Sequence, residues 1–179
     1  MKHAPVALFA YNRKNMVEET VKSLAKNHGA EETDLHVYSD GWKGQTDEPA
    51  VIEVRAWLKT ITGFKSVTIH EAEKNRGLGR SIIAGVTEMI EKYGEVIVLE
   101  DDLELSPWFL KFMNDGLNTY RDSEKVASIH GYLYPVKATL PETFFIKGAD
   151  CLGWATGSAH GNSLTATRSI CMTLSSNGK

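Results

Sequence analysis

The chain has 179 residues, 42% of them apolar and 24% charged, with a net charge of −3. This length suits one domain, or one domain with an incomplete second part. The acidic balance gives no electrostatic reason to expect nucleic acid, and no apolar run approaches the roughly 20 residues of an integral membrane segment.

The N-terminal run "PVALFAY" (5–11) is short, β-rich and without polar alternation, as expected of a strand covered on both faces and not of a secretory leader. Cys151 and Cys171 have neither CxxC nor zinc spacing. The expected compartment is the cytoplasm or, peripherally, the inner face of the membrane. Asn15 is the expected cap of a helix carrying Val17, Val21 and Leu24 on one face and stopping at Gly29. "LHVYS" (35–39) is the second strand. Asp47 is the expected cap of a second helix, with Val51, Val54, Leu58 and Ile61 at helical spacing before Gly63. "SVTIH" (66–70) is the third strand. A third helix carries Ile82, Ile83, Val86, Met89, Ile90 and Tyr93 and ends at Gly94. "VIVL" (96–99) is the fourth strand, and Ser106-Pro107 should open a fourth helix with Trp108, Phe109, Phe112, Met113, Leu117 and Tyr120 as its apolar surface. Strand–helix alternation at this period predicts an α/β fold with a mainly parallel sheet and right-handed crossovers.

Ligands of such sheets bind beyond the carboxyl ends of the strands. Four segments should collect there: Tyr11-Asn12-Arg13, Asp40-Gly41, Asn75-Arg76-Gly77 and Glu100-Asp101-Asp102. Adjacent carboxylates repel one another, so the last of these is either a solvated strand end or a place for a cation. Oxygen ligands suit Mg²⁺ or Mn²⁺, which need only one or two protein carboxylates when a diphosphate supplies the rest. A polyanion held through a divalent metal satisfies the arginines and the acids together.

The order of these segments resembles the GT-A glycosyltransferases over residues 4–156. "APVALFAYNRKNMVEETVKSL" resembles their opening strand and helix, and "VYSDG" their second strand with its nucleotide-contacting Asp. "NRGLGRSI" looks like the loop entering the third helix. "VIVLEDDLELSPWFLKFM" is similar to the EDD segment of the N-acetylglucosaminyltransferase I branch, within a family-2-like fold, and "FFIKGADCLGWAT" to its aromatic and Gly-Trp segment. The resemblance implies a sheet with helices on both faces, incomplete at the C-terminus. It implies that Asp102 binds Mn²⁺ or Mg²⁺, and that Asp101 contacts the ribose or a metal-bound water. Glu100 would lie near the donor sugar or hold its neighbours. Arg13 and Asp40 would contact the nucleobase, with Tyr11 in the same loop, and Arg76-Gly77 would lie near the base or the diphosphate. The implied reaction is inverting transfer of a sugar from a nucleoside-diphosphate sugar, a UDP-sugar first, to a hydroxyl of a carbohydrate or lipid-linked sugar acceptor.

Other signals are weaker. Gly77-Leu78-Gly79 does not complete GxGxxG, because position 82 is Ile, and no Walker lysine follows. Arg80 reads as a surface charge. The six histidines are scattered without metal spacing; His130 could face the acceptor side. Trp42 and Trp57 belong to packing, while Trp154 suits either a sugar face or the core.

Up to Thr156 the sequence reads as a nucleotide-sugar-binding domain, the N-terminal part of a larger catalytic domain. From 157 to 179 it has no acidic residue and no aromatic, as in a disordered tail or a shifted reading frame. Codons can be chosen for Thr156–Thr165 that read Trp-Glu-Arg-Ala-Trp-Lys-Leu-Phe-Asp from the third base of the first codon, so a one-base deletion near codon 156 is one explanation. Sequencing of the source DNA tests it. The resemblance places the catalytic base, a carboxylate, beyond Thr156, and no residue is assigned to it. A non-catalytic nucleotide-sugar-binding fragment is therefore the alternative function. A sugar-nucleotide nucleotidyltransferase is disfavoured, because "YNRKN" stands where a glycine-rich, lysine-containing signature belongs. A DxDxT phosphatase lacks its first-strand Asp.

Overall fold

The structure, a computed structural model, describes residues 3–157; the expectations for 158–179 lie outside the described residues. Six strands form one sheet: β1 (Val6–Ala10), β2 (Asp34–Ser39), β3 (Ser66–Glu71), β4 (Glu95–Glu100), β5 (Ile129–His130) and β6 (Trp154–Gly157). Four α-helices accompany them: α1 (Lys14–Ala25), α2 (Glu48–Leu58), α3 (Leu78–Tyr93) and α4 (Phe109–Thr119). The strand order is β3-β2-β1-β4-β6-β5. β1 pairs in parallel with β2 and β4, and β2 with β3, as the alternation predicts. β6 runs antiparallel to β4, from Val98↔Trp154 to Glu95↔Gly157, and carries β5 on its other side.

Alternate residues of the central strands enter two cores. Val6, Leu8, Ile97 and Leu99 pack against α1, α2 and α4 through Val17, Leu24, Val54, Leu58, Leu110 and Met113. Ala7, Phe9, Val96 and Val98 meet α3 through Ile82, Val86 and Met89, with Trp154 in the same cluster. Trp154 is thus a core residue, 1% exposed. Fully burying side chains of this size contributes about 1.5–3 kcal/mol each. One rung of the sheet carries the stacked rings Phe9, Tyr38 and His70, at 5.1 and 4.4 Å between centroids.

Several helix ends differ from the sequence expectation. α1 starts at Lys14 with Arg13, not Asn15, at the cap position, and the Val17 N–H donates to the Arg13 carbonyl. It stops at Ala25, well before Gly29, where the buried Asn27 accepts from the Leu110 N–H and donates to the Ser23 carbonyl. α2 has Asp47 at its cap position but no side-chain cap bond, because that carboxylate accepts from the Tyr11 hydroxyl at 2.8 Å. It ends at Leu58, where the Thr60 hydroxyl and N–H both return to the Trp57 carbonyl. α3 ends as expected at Gly94, whose φ of 82° is natural only for glycine. α4 starts at Phe109, after a turn that includes Ser106 and Pro107. The Pro107 carbonyl accepts from the His28 N–H, which holds this proline out of the helix. Trp108 stands 55% exposed and stacks on His28 at 3.9 Å instead of joining the core.

Candidate donor site at the carboxyl edge of the sheet

The four polar segments meet the carboxyl edge of β1–β4, and backbone hydrogen bonds define how. Asp40, just past β2, is buried. Its Oδ1 accepts from the N–H groups of Gly41 and Arg76, and its Oδ2 from that of Gly77, each at 2.9 Å. One side chain thus fixes the loop before α3 against the end of β2. The Asn75 amide completes the clasp by donating to the Gly41 carbonyl at 2.7 Å. A Cβ on Gly41 would lie 2.5 Å from the Lys74 carbonyl carbon, so the close approach of these two loops requires glycine.

Behind this clasp sits Arg55 of α2, which the sequence reading did not single out. Its Nε donates to the Ser39 hydroxyl at 3.2 Å, and Nη2 donates to the carbonyls of Asp40 at 3.2 Å and Ala72 at 2.7 Å. Nη1 faces Glu71 at 3.4 Å, and the guanidinium lies over the Trp42 ring. An arginine beside the apolar stripe of Val51, Val54 and Leu58 reads as a helix-surface charge. Its only sequence signal is its position one residue from Val54.

On the β1 side, Tyr11 accepts from the Lys43 N–H at 3.1 Å while donating to Asp47, which ties the β1–α1 and β2–α2 loops together. Arg13 forks onto the acidic segment: Nη1 donates to Asp102 Oδ2 at 3.0 Å and Nη2 to Asp101 Oδ1. Asp101 foremost raises the pKa of this guanidinium above its already high value.

Glu100 lies apart from the Arg13 fork that takes Asp101 and Asp102. It continues the alternation of Val96 and Val98 toward the α3 face, and Phe9 is its partner across the strands. Burial first, then the charge of Asp102, raises its pKa above the ordinary range, against a hydrogen bond from the Cys151 thiol. Burial and the same carboxylate push the Cys151 thiol up to about 11, so it stays a protonated donor. Cys151 comes from the segment before β6, far from Glu100 in sequence.

Arg76 lines a cavity of about 220 Å³ with Tyr38, Asp40, His70, Ser81 and Glu88, beside the N-terminal turn of α3. Arg80 is exposed. A second cavity, about 290 Å³, lies at the opposite edge between α4 and the β4–β6 pair, lined by Gly94, Tyr120, Arg121 and Thr156 among others. It contains none of the site residues expected from sequence. His130, on β5, is half-buried with Nε2 at 2.7 Å from the Ser128 hydroxyl.

No three His, Cys, Asp or Glu side chains among the described residues form a ready-made metal cage. The acidic segment nevertheless fits a cation held in another way. Asp101 and Asp102 converge on one positive group, the Arg13 guanidinium, and a hard divalent cation needs only one or two protein carboxylates when phosphate oxygens complete its shell.

No protein-family model and no curated protein matches the chain by sequence. Among solved structures, S. aureus TarS 1–349 is similar at a TM-score of 0.54 and 16% identity, covering 86% of this chain and 47% of that one. A mannosyltransferase, PcManGT from Pyrobaculum calidifontis, solved in complex with GDP-Man and Mn²⁺, is similar at a TM-score of 0.49 and 16% identity, covering 69% of this chain and 33% of that one. The chain thus spans about half of TarS 1–349 and a third of the mannosyltransferase. The TarS likeness agrees with the fold expected from sequence, an α/β architecture of GT-A type with a mainly parallel sheet. No helix among the described residues is long and apolar enough to cross a membrane.

Proposed function

We propose that this chain is the donor-binding part of a GT-A glycosyltransferase that transfers a sugar from a nucleoside-diphosphate sugar, a UDP-sugar first, to a carbohydrate or lipid-linked hydroxyl, with inversion. The observation that carries this reading is the pairing, along one sheet edge, of the Asp40-held Arg76-Gly77 loop with the Arg13–Asp101–Asp102 cluster. A base and a charged diphosphate need such neighbouring surfaces.

In this reading Asp40 fixes the base end of the site by gripping Arg76 and Gly77. A carboxylate accepts about four hydrogen bonds, and Asp40 makes three here, so one acceptor position remains for the nucleotide. Arg76 faces the base or the diphosphate from the cavity wall, Tyr11 borders the site, and Arg13, expected at the nucleobase, instead supplies a positive fork beside the acidic pair that suits the diphosphate. Asp102 would hold Mn²⁺ or Mg²⁺, with Asp101 beside it at the ribose or a metal-bound water. When bound, the metal would offset the charge that builds on the departing diphosphate. Glu100, kept apart by Cys151, borders the sugar end.

Because the chain covers 47% of TarS 1–349, donor binding and sugar transfer are separate claims. Donor binding without transfer is the second reading. Thermal unfolding with UDP, GDP and CMP, each with and without Mn²⁺, tests binding on the wild type and on Asp102→Asn. A ligand at about a hundred times its dissociation constant should add roughly 2.7 kcal/mol of stability. Stabilisation by UDP only with metal, and only in the wild type, is expected. An equal response of the two proteins, or no response to any nucleotide, overturns the donor-site reading. Hydrolysis or transfer from a UDP-sugar panel then separates the enzyme from the binding fragment.

A further inference from the structure

Arg13 is placed to compete with the metal that the same carboxylates would hold; this step rests on the donor-site reading above. Its two Nη atoms bind one oxygen each of Asp101 and Asp102. The Asp101 side chain is only 6% exposed, whereas those of Arg13 and Asp102 are 48% and 39% exposed. The cluster therefore has one buried anion, Asp101, and two members that reach the surface. A guanidinium exchanges one planar anion for another at little geometric cost, since carboxylate and phosphate both take its fork.

We propose that Arg13 is an exchangeable counter-cation that couples nucleotide and metal binding. Without nucleotide, its fork stays on Asp101 and Asp102 and weakens divalent-cation binding there. The diphosphate of an arriving nucleotide draws the fork away, and Asp102 then becomes available to the metal. Nucleotide and metal thus bind with positive coupling. By linkage, each raises the affinity of the other by one common factor.

The position of Arg13 supports this movement. It occupies the cap position of α1, where its carbonyl is fixed by the Val17 N–H, so only the side chain needs to swing. The charge balance supports it as well. Two carboxylates facing one guanidinium leave a net charge of about −1. With a dication beside that guanidinium, the excess becomes positive until phosphate oxygens arrive.

Manganese binding, followed by the electron paramagnetic resonance signal of free Mn²⁺, tests the inference on the whole chain. Wild type, Arg13→Gln and Arg13→Lys are each titrated with and without UDP. Removing a unit charge about 5 Å from a dication should matter by on the order of tenfold, even with water-like screening. Arg13→Gln is therefore expected to bind Mn²⁺ about ten times more tightly than wild type without UDP. UDP should raise Mn²⁺ affinity in both proteins, because its phosphate oxygens complete the metal's shell, but by about tenfold more in the wild type than in Arg13→Gln. Arg13→Lys, which keeps the charge but loses the fork, should fall between them. Thermal unfolding in metal-free buffer shows whether each variant is folded; if Arg13→Gln is not, Arg13→Lys decides the matter. Metal-dependent UDP binding with a Mn²⁺ affinity indifferent to residue 13 overturns this inference and leaves the donor site standing. Absence of metal-dependent UDP binding in every protein overturns both.

Discussion

The Arg55 guanidinium reaches the Ala72 carbonyl at 2.7 Å, and through that bond helix α2 holds the far ends of β2 and β3 together. The same side chain donates to Ser39 and to the Asp40 carbonyl, so it supports the residue that organises the loop before α3. An arginine only 13% exposed, with several acceptors, cannot be removed without leaving those carbonyls unpaired. Arg55→Ala should lower stability by about 2–4 kcal/mol in urea unfolding. Arg55→Lys should recover only part of this, because a single ammonium cannot span the acceptors.

Asp40→Ala removes the acceptor of three backbone N–H groups at once. A loss of about 2–4 kcal/mol follows. The more direct measurement is amide hydrogen exchange. The Arg76 and Gly77 amides should exchange faster in Asp40→Ala, while β1 amides stay protected. In Asp40→Asn, one oxygen remains and protection should be lost at only one of the two amides. Equal protection in all three proteins would falsify the clasp.

Gly41→Ala places a methyl group against the Lys74–Asn75 backbone at 2.5–2.8 Å. Backbone cannot yield as a flexible side-chain end can, so the two loops must part. The expected cost is about 1–3 kcal/mol, with loss of any UDP-induced stabilisation. Gly44→Ala is the matched control, because nothing lies within 4 Å of its added methyl. That variant should retain both stability and nucleotide response.

His36 makes stability depend on pH. Its Nδ1 lies 3.1 Å from His70 Nε2, and its Nε2 lies 3.0 Å from the Tyr93 hydroxyl. Burial foremost, then the charges of His70 and Lys92, lowers its pKa below the usual 6.5. The folded state therefore prefers neutral His36. Its contribution is complete above pH 6.5 and fades as pH falls from there through the lowered folded value. Burial lowers His130 in the same direction. The melting temperature should drop between pH 7 and pH 5. His36→Gln, which keeps hydrogen-bonding capacity without titrating, should flatten that drop; an unchanged slope would sink the assignment.

The parallel half of the fold was legible because its strands are continuous apolar runs and its helices carry unbroken stripes. Val17, Val21 and Leu24, or Ile82, Val86 and Met89, need no tertiary knowledge to be read as buried. β5 and β6 were not legible. Ile129–His130 is too short to show a period, and "WATG" has no alternation until β4 gives it a partner. At the carboxyl edge, the segments that gather there could be read from strand ends alone. Their division of labour could not. Nothing in "LEDD" says that Glu100 turns toward Cys151 while Asp101 and Asp102 take Arg13; pleat direction and the β4 register decide that. Nor does "SDGW" show that the Asp40 oxygens are largely spent on backbone amides. Two of the expected helix starts lose their local role to a tertiary partner: the Asp47 carboxylate is taken by the Tyr11 hydroxyl, and the Pro107 carbonyl by the His28 N–H.

The late pairing of β6 with β4 has a consequence for birth of the protein on the ribosome. β1–β4 are all synthesised before Trp154 emerges, and at about 5–20 residues per second the wait lasts several seconds. During that interval Val96–Val98 form an uncovered border of an otherwise assembled sheet, with unpaired amides and carbonyls in register for any extended chain nearby. The nascent polypeptide is therefore most exposed to illegitimate strand exchange just before its last described strand arrives, which makes this stretch of synthesis the one where a chaperone has most to protect.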